Sequence, residues 1–125
     1  MDDSAGGDVT NTSNVVFNNI LSNQTLDIDY DTATGEFTLN TAGIYYISWW
    51  IAEDVAIAPV SFSVTLNNAP GPVSFSPLTT GQVSGSAIVT IGATATVTLT
   101  NQTGSTVTYS TTAVQGGMTI IEVQP

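Results

Sequence analysis

Gly43-Ile44-Tyr45-Tyr46-Ile47-Ser48-Trp49-Trp50-Ile51-Ala52 is the stretch that decides the fold. It holds both tryptophans and two of the four tyrosines. β-branched and aromatic residues dominate it, which favours a strand over a helix. In a strand Ile44, Tyr46, Ser48, Trp50 and Ala52 share one face, and Tyr45, Ile47, Trp49 and Ile51 share the other. A strand with one wet face alternates apolar and polar residues. Here neither face is polar, so both are covered. The domain's own core covers one. A second layer of the same chain or a neighbouring subunit covers the other.

The alternation continues outward from this strand. Upstream, Val15-Val16-Phe17 reads as a short first strand, and the polar, Gly-containing residues before it as a flexible leader. Leu26-Asp27-Ile28-Asp29-Tyr30 alternates cleanly, which predicts Leu26, Ile28 and Tyr30 inward. Asp31 to Gly35 is a turn, and Phe37 and Leu39 point inward from the strand after it. Downstream, Val60 to Asn67 alternates with small polar residues outside, as a half-buried strand does. Val73-Ser74-Phe75 lies between Pro72 and Pro77, which places it at a sheet edge. Gln82 to Ile91 is a strand with Gly85 as a bulge or close-approach point. Ala95 to Thr100 leads through an Asn101-Gln102-Thr103-Gly104 hairpin turn into Thr106 to Ser110. In the last strand, Met118 to Val123, Ile120 and Ile121 fall on opposite faces, so it too is covered twice.

Many short strands, short turns and no helical periodicity indicate an all-β protein, a two-sheet antiparallel sandwich or jelly roll. The expected division is a leader over 1–13 and one jelly-roll domain over 14–125.

Charge narrows the function. The 125 residues include ten Asp and Glu and no Lys, Arg or His, for a net charge of −10. Nucleic-acid binding lacks the cations that neutralise phosphates, and anionic membranes are disfavoured for the same reason. No apolar run approaches the roughly 18–20 residues that span a bilayer as a helix. Salt bridges between side chains are impossible. Cys is absent, which removes disulfides and thiolate metal sites. The Ser-His-Asp triad, the thiol nucleophile, the Schiff-base lysine and the cationic clamp are all excluded. A carboxylate pair of the glycosidase kind is still available on paper. Glu53 and Asp54 are its candidates, but adjacent strand residues point oppositely.

Asp27, Asp29 and Asp31 recur at every second position and are candidate calcium ligands. An EF-hand is excluded, because Thr32 and Thr38 stand where that loop needs Gly and Glu. A strand spaces alternate carboxylates about 6.5–7 Å apart, so a solvated face running into a turn is the plainer reading and no cofactor is required. Glu122, in a mostly apolar strand, is either a buried carboxylate or one that reaches solvent. Asn11, Asn23 and Asn101 each begin an Asn-X-Ser/Thr triplet, a pattern that chance supplies readily in a chain so rich in Asn and Thr.

Four stretches carry a resemblance. Tyr30-Asp31-Thr32-Ala33-Thr34-Gly35-Glu36-Phe37-Thr38-Leu39 and Ala42-Gly43-Ile44-Tyr45-Tyr46-Ile47-Ser48-Trp49-Trp50 are followed by Gly81 to Val89 and Met118 to Val123. Together they resemble the globular C-terminal domain of BclA-type collagen-like glycoproteins of the spore surface, the exosporium. The wider superfamily is the tumour-necrosis-factor and complement-q-subcomponent (TNF-like) jelly roll. The resemblance spans most of 14–124. It implies a non-catalytic homotrimer, extracellular on a spore, at the end of a Gly-X-Y collagen stalk. This chain contains no Gly-X-Y run. On this reading Tyr45, Ile47, Trp49 and Ile51, with Ile121 and Val123, line the trimer interface, and Tyr46 with Trp50 is the alternative face. An adhesin head that binds a host protein or glycan is the competing function, and a carboxylate glycosidase the remote one.

One consequence is immediate. Without Lys or Arg the chain offers trypsin no cognate bond, so heat-unfolded protein incubated with trypsin keeps its full mass. Discrete tryptic fragments would contradict this.

Overall fold

The computed structural model describes residues 8–17, 20, 26–53, 60–67, 69–76, 81–109 and 116–124, with backbone alone at 69–76, 81 and 124. The strands are β1 (Asp8–Val9), β2 (Ile28–Asp31), β3 (Glu36–Leu39), β4 (Gly43–Glu53), β5 (Val60–Leu66), β6 (Ala69–Ser76), β7 (Gly81–Ile91), β8 (Ala95–Asn101), β9 (Val107–Thr108) and β10 (Gly116–Gln124). No helix occurs among the described residues. A five-stranded sheet runs β2-β3-β8-β5-β6, a three-stranded sheet β10-β4-β7, and β1 pairs with β9. Every pairing is antiparallel.

The two larger sheets enclose one apolar core. β4 contributes Tyr45, Ile47, Trp49 and Ile51, all buried. From the five-stranded sheet come Phe37, Leu39, Phe62, Val64, Val97 and Leu99. The Trp49 and Phe62 rings meet across the sandwich with centroids 6.0 Å apart, tilted as aromatic pairs prefer. β6, with Pro70 and Pro72, occupies a sheet edge, where a residue without an N–H costs no ladder bond. The turn between β2 and β3 requires a glycine. Gly35 has φ +77°, and a Cβ there would overlap the Val15 carbonyl oxygen.

Five sequence expectations change. Residues 8–13, read as leader, are tied down: Val9 is buried in the β1–β9 pair, and the Asn101 Nδ2 donates to its carbonyl at 2.9 Å. The remainder of the leader, 1–7, lies outside the described residues. Val15 to Phe17 is not a strand. It runs alongside β8 beyond the end of β3, with a single bridge at Asn14↔Thr100 and a Val15 N–H bond to the Leu99 carbonyl. Leu26 is 95% exposed, because the β2–β3 ladder ends at Ile28↔Leu39 and leaves it beyond the sheet. Asn101 to Gly104 turns the chain but closes no β8–β9 hairpin. The Asn101 side chain there accepts from the Thr103 N–H and donates to the Ser105 carbonyl, and β9 leaves to pair with β1. Of the two roles expected for Gly85 the bulge is removed; the β4–β7 register is unbroken, with Gly85 opposite Trp49.

Burial ranks the alternating residues. Ile47→Ala removes apolar atoms from a fully buried site, and the expected loss is about 2–5 kcal/mol in denaturant unfolding. Leu26→Ala changes stability by roughly 0.5 kcal/mol or less. Equal losses at the two positions would contradict this packing.

Candidate functional site

Alternation along β4 sends Tyr45, Ile47, Trp49 and Ile51 inward, where they are closed off within a single chain. These four therefore have no surface to offer a second copy, and the expectation that they line an interface is corrected. Ile121, grouped with them above, belongs to the opposite side, while Val123 is exposed. Register decides this: Ile121 stands opposite Tyr46, whereas Ile120 stands opposite Ile47. Val123 lies at a shift in the β10–β4 register.

The outward face of the three-stranded sheet is built in cross-strand rows. Ile88, Tyr46 and Ile121 form one row across β7, β4 and β10. Ser86, Ser48 and Thr119 form the next, and Ser84, Trp50 and Gly117 the one after. Ile88 is 71% exposed, Val123 60%, Ile121 51% and Tyr46 36%. Trp50 is half-buried between its small neighbours. Cross-strand neighbours of this kind stand about 4.5–5.5 Å apart, so each row is a continuous surface. Sequence reasoning missed Ile88. The run Ala87-Ile88-Val89 carries the signal, since three successive apolar residues in a strand must put one or two on each face.

No described carboxylate lies on this face. Glu53 and Glu122 sit on the inward parity of β4 and β10, and β7 has no acidic residue. Half-buried Glu122 accepts a 3.0 Å hydrogen bond from the Tyr45 hydroxyl, which also contacts the Thr41 carbonyl oxygen at 2.7 Å. Burial pushes the Tyr45 phenol up to about 12, helped by the bond to Glu122 and by the negative charges of Glu122 and Asp27.

The calcium candidates do not converge. Asp27 accepts from Thr41 Oγ1 at 2.9 Å, Asp29 from Asn40 Nδ2 at 2.8 Å and Asp31 from the Ala33 N–H at 2.8 Å. Each fastens its own stretch of the β2–β3 region. Among the described residues no three carboxylates gather in a way that suits a metal ion. The glycosidase candidates fare no better. Glu53 is buried and offers a substrate no approach, and Asp54 lies outside the described residues. Of the Asn-X-Ser/Thr triplets, Asn101 is buried, Asn11 is exposed and Asn23 lies outside the described residues.

The profile of the C1q domain matches residues 4–115. No curated protein matches the sequence. Among solved structures, the globular domain of zebrafish complement 1qA protein superposes with a TM-score of 0.74 at 16% identity, over 97% of this chain and 92% of that one. Eiger TNF from S. frugiperda gives 0.65 at 10% identity, over 98% and 88%. Rabbit GITRL gives 0.54 at 15% identity, over 78% of each chain. Identities this low speak to fold alone. Domains of the C1q/TNF kind form homotrimers, are typically extracellular and are generally not enzymes. From the profile match over most of its length, the chain belongs to the C1q domain family.

Proposed function

We propose that this chain is a non-catalytic head domain that trimerises through the outward face of β10-β4-β7 and is displayed at a bacterial spore surface by a collagen-like filament protein. The observation that carries the assembly is the absence of charge on that face among the described residues. Each copy has a formal net charge of −10 and no cationic side chain, so copies repel at a distance. A contact that enclosed carboxylates would bury anions that no copy can pair, a cost of several kcal/mol per ion. Association is therefore restricted to an uncharged surface, and the rows of Ile88, Tyr46 and Ile121 with Trp50 supply one. Exposed apolar groups gathered on one face are what association sites present. Each of these side chains contributes about 1.5–3 kcal/mol if fully withdrawn from water.

The spore-surface setting is supported by the four sequence stretches that resemble BclA-type heads. The competing adhesin reading would use exposed aromatics. Tyr46 and Trp50, the aromatics on the outward face, both fall inside the surface assigned here to assembly.

Light scattering and circular dichroism test the assembly. Wild-type protein at micromolar concentration should have three times the 12.9 kDa mass of one chain. Ile121→Asp and Ile88→Asp should give monomers that keep the β-sheet spectrum. Trp49→Asp, which buries a charge in the core, should fail to fold. A monomeric wild type, or a trimer indifferent to both outward substitutions, would reject the proposal.

A further inference from the structure

Glu53 is the last residue of β4 and continues its inward parity after Tyr45, Ile47, Trp49 and Ile51. It is 4% exposed, and neither carboxyl oxygen has a hydrogen-bond partner. Its β7 partner is Gly81, and on the other side an isolated bridge sets it against Tyr109. β10 reaches β4 one turn of the pleat earlier, at Gly116↔Ile51. Buried carboxylates usually pair with Lys, Arg or His. This chain has none, and a second copy brings none. The carboxyl can stay buried only by holding its proton.

We propose that Glu53 is a proton-operated latch on the end of β4: neutral, it remains packed between the sheets; ionised, it loosens the strand end and the Tyr109 bridge. Burial pushes its carboxyl from 4.5 up to about 7, which brings the change into the neutral range. Few groups compete. Gly81 and Gly116 are not titratable, and Val60, at the start of β5, is apolar. Tyr109 is the titratable group facing it from the bridged segment, and Glu122 sits towards the other end of β10 on Tyr45. Asp54, next in the chain, lies outside the described residues.

The sign follows from linkage. The folded state holds this proton more tightly than the unfolded chain, so the stabilisation is complete below pH 4.5 and is lost as pH rises through about 7. The latch depends on the fold of one chain and not on trimerisation. A monomeric protein would show it equally.

The test compares the unfolding midpoints of wild type, Glu53→Gln and Asp8→Asn from about pH 5 to about pH 8, each at fixed protein concentration. Asp8 is exposed, so Asp8→Asn removes the same charge without touching the latch. Wild type and Asp8→Asn should lose stability in parallel, the unfolding constant rising on the order of 100-fold across the range. Glu53→Gln should be nearly flat and more stable than wild type at the alkaline end. Carbon-13 labelling of the three glutamates gives a second readout that needs no variant, in which the Glu53 carboxyl should titrate near 7. Amide protection, corrected for intrinsic exchange, should fall locally at 51–53 and 109 above that point. A Glu53 carboxyl that titrates in the ordinary carboxylate range would overturn the proposal. So would a Glu53→Gln variant that keeps the wild-type slope, or protection unchanged at 51–53.

Discussion

A carboxylate in this chain has three ways to exist: in water, on a neutral donor, or protonated. The sequence provides no cationic side chain, and that constraint organises the molecule. Asp27, Asp29 and Asp31 take hydroxyl, amide and backbone donors near the β2–β3 turn. Glu122 takes a phenol. Glu53 has no donor and lies inside. Among the described residues charge is thereby kept off the outward side of β10-β4-β7, and the surface proposed for the meeting of identical polyanions is defined by subtraction.

Stability has to come from burial and neutral hydrogen bonds. The inward row of β4 is fully enclosed, and its Trp49 ring meets Phe62 across the sandwich. Neutral polar groups do the fastening that ion pairs do elsewhere. Tyr30 donates to the Phe17 carbonyl at 2.7 Å and accepts from the Phe17 N–H at 2.6 Å, fixing the N-terminal segment beside β2. Thr65 and Thr100 share a buried hydroxyl contact of 2.9 Å between β5 and β8. The buried amide of Asn101 ties β1, the turn after β8 and the end of β8 together. These bonds are individually worth about 1 kcal/mol net, but leaving any one partner buried alone costs more.

Much of the fold was legible in the sequence because alternation is local. The central strand, its lack of a polar face and the proline-marked edge strand followed from residue type alone. What failed was long-range parity. Both faces of β4 are apolar, so composition could not choose which one turned inward. That choice rests on register with β10, some seventy residues later in the chain, where Ile121 meets Tyr46 and not Tyr45. The Asn101 to Gly104 turn looked like a hairpin for a related reason: its chemistry is right for a tight turn, but the partner of the following strand comes from the N-terminus. Leu26 fitted the alternation and still fell outside the sheet, since a ladder's end is set by its neighbour's length. The missing cations were visible at once. Their consequence for the outward face needed the register.

The central claim is that the outward face, free of charge among the described residues, is buried between copies. Hydroxyl-radical footprinting of the native protein, read by mass spectrometry, addresses it at the side chains concerned. Leu26, almost fully exposed and just ahead of β2 in the five-stranded sheet, is the internal reference for free labelling. The account predicts that Ile88, Tyr46 and Ile121 are strongly protected relative to Leu26. Labelling of Ile88 and Ile121 in proportion to their exposure in a single chain would contradict it.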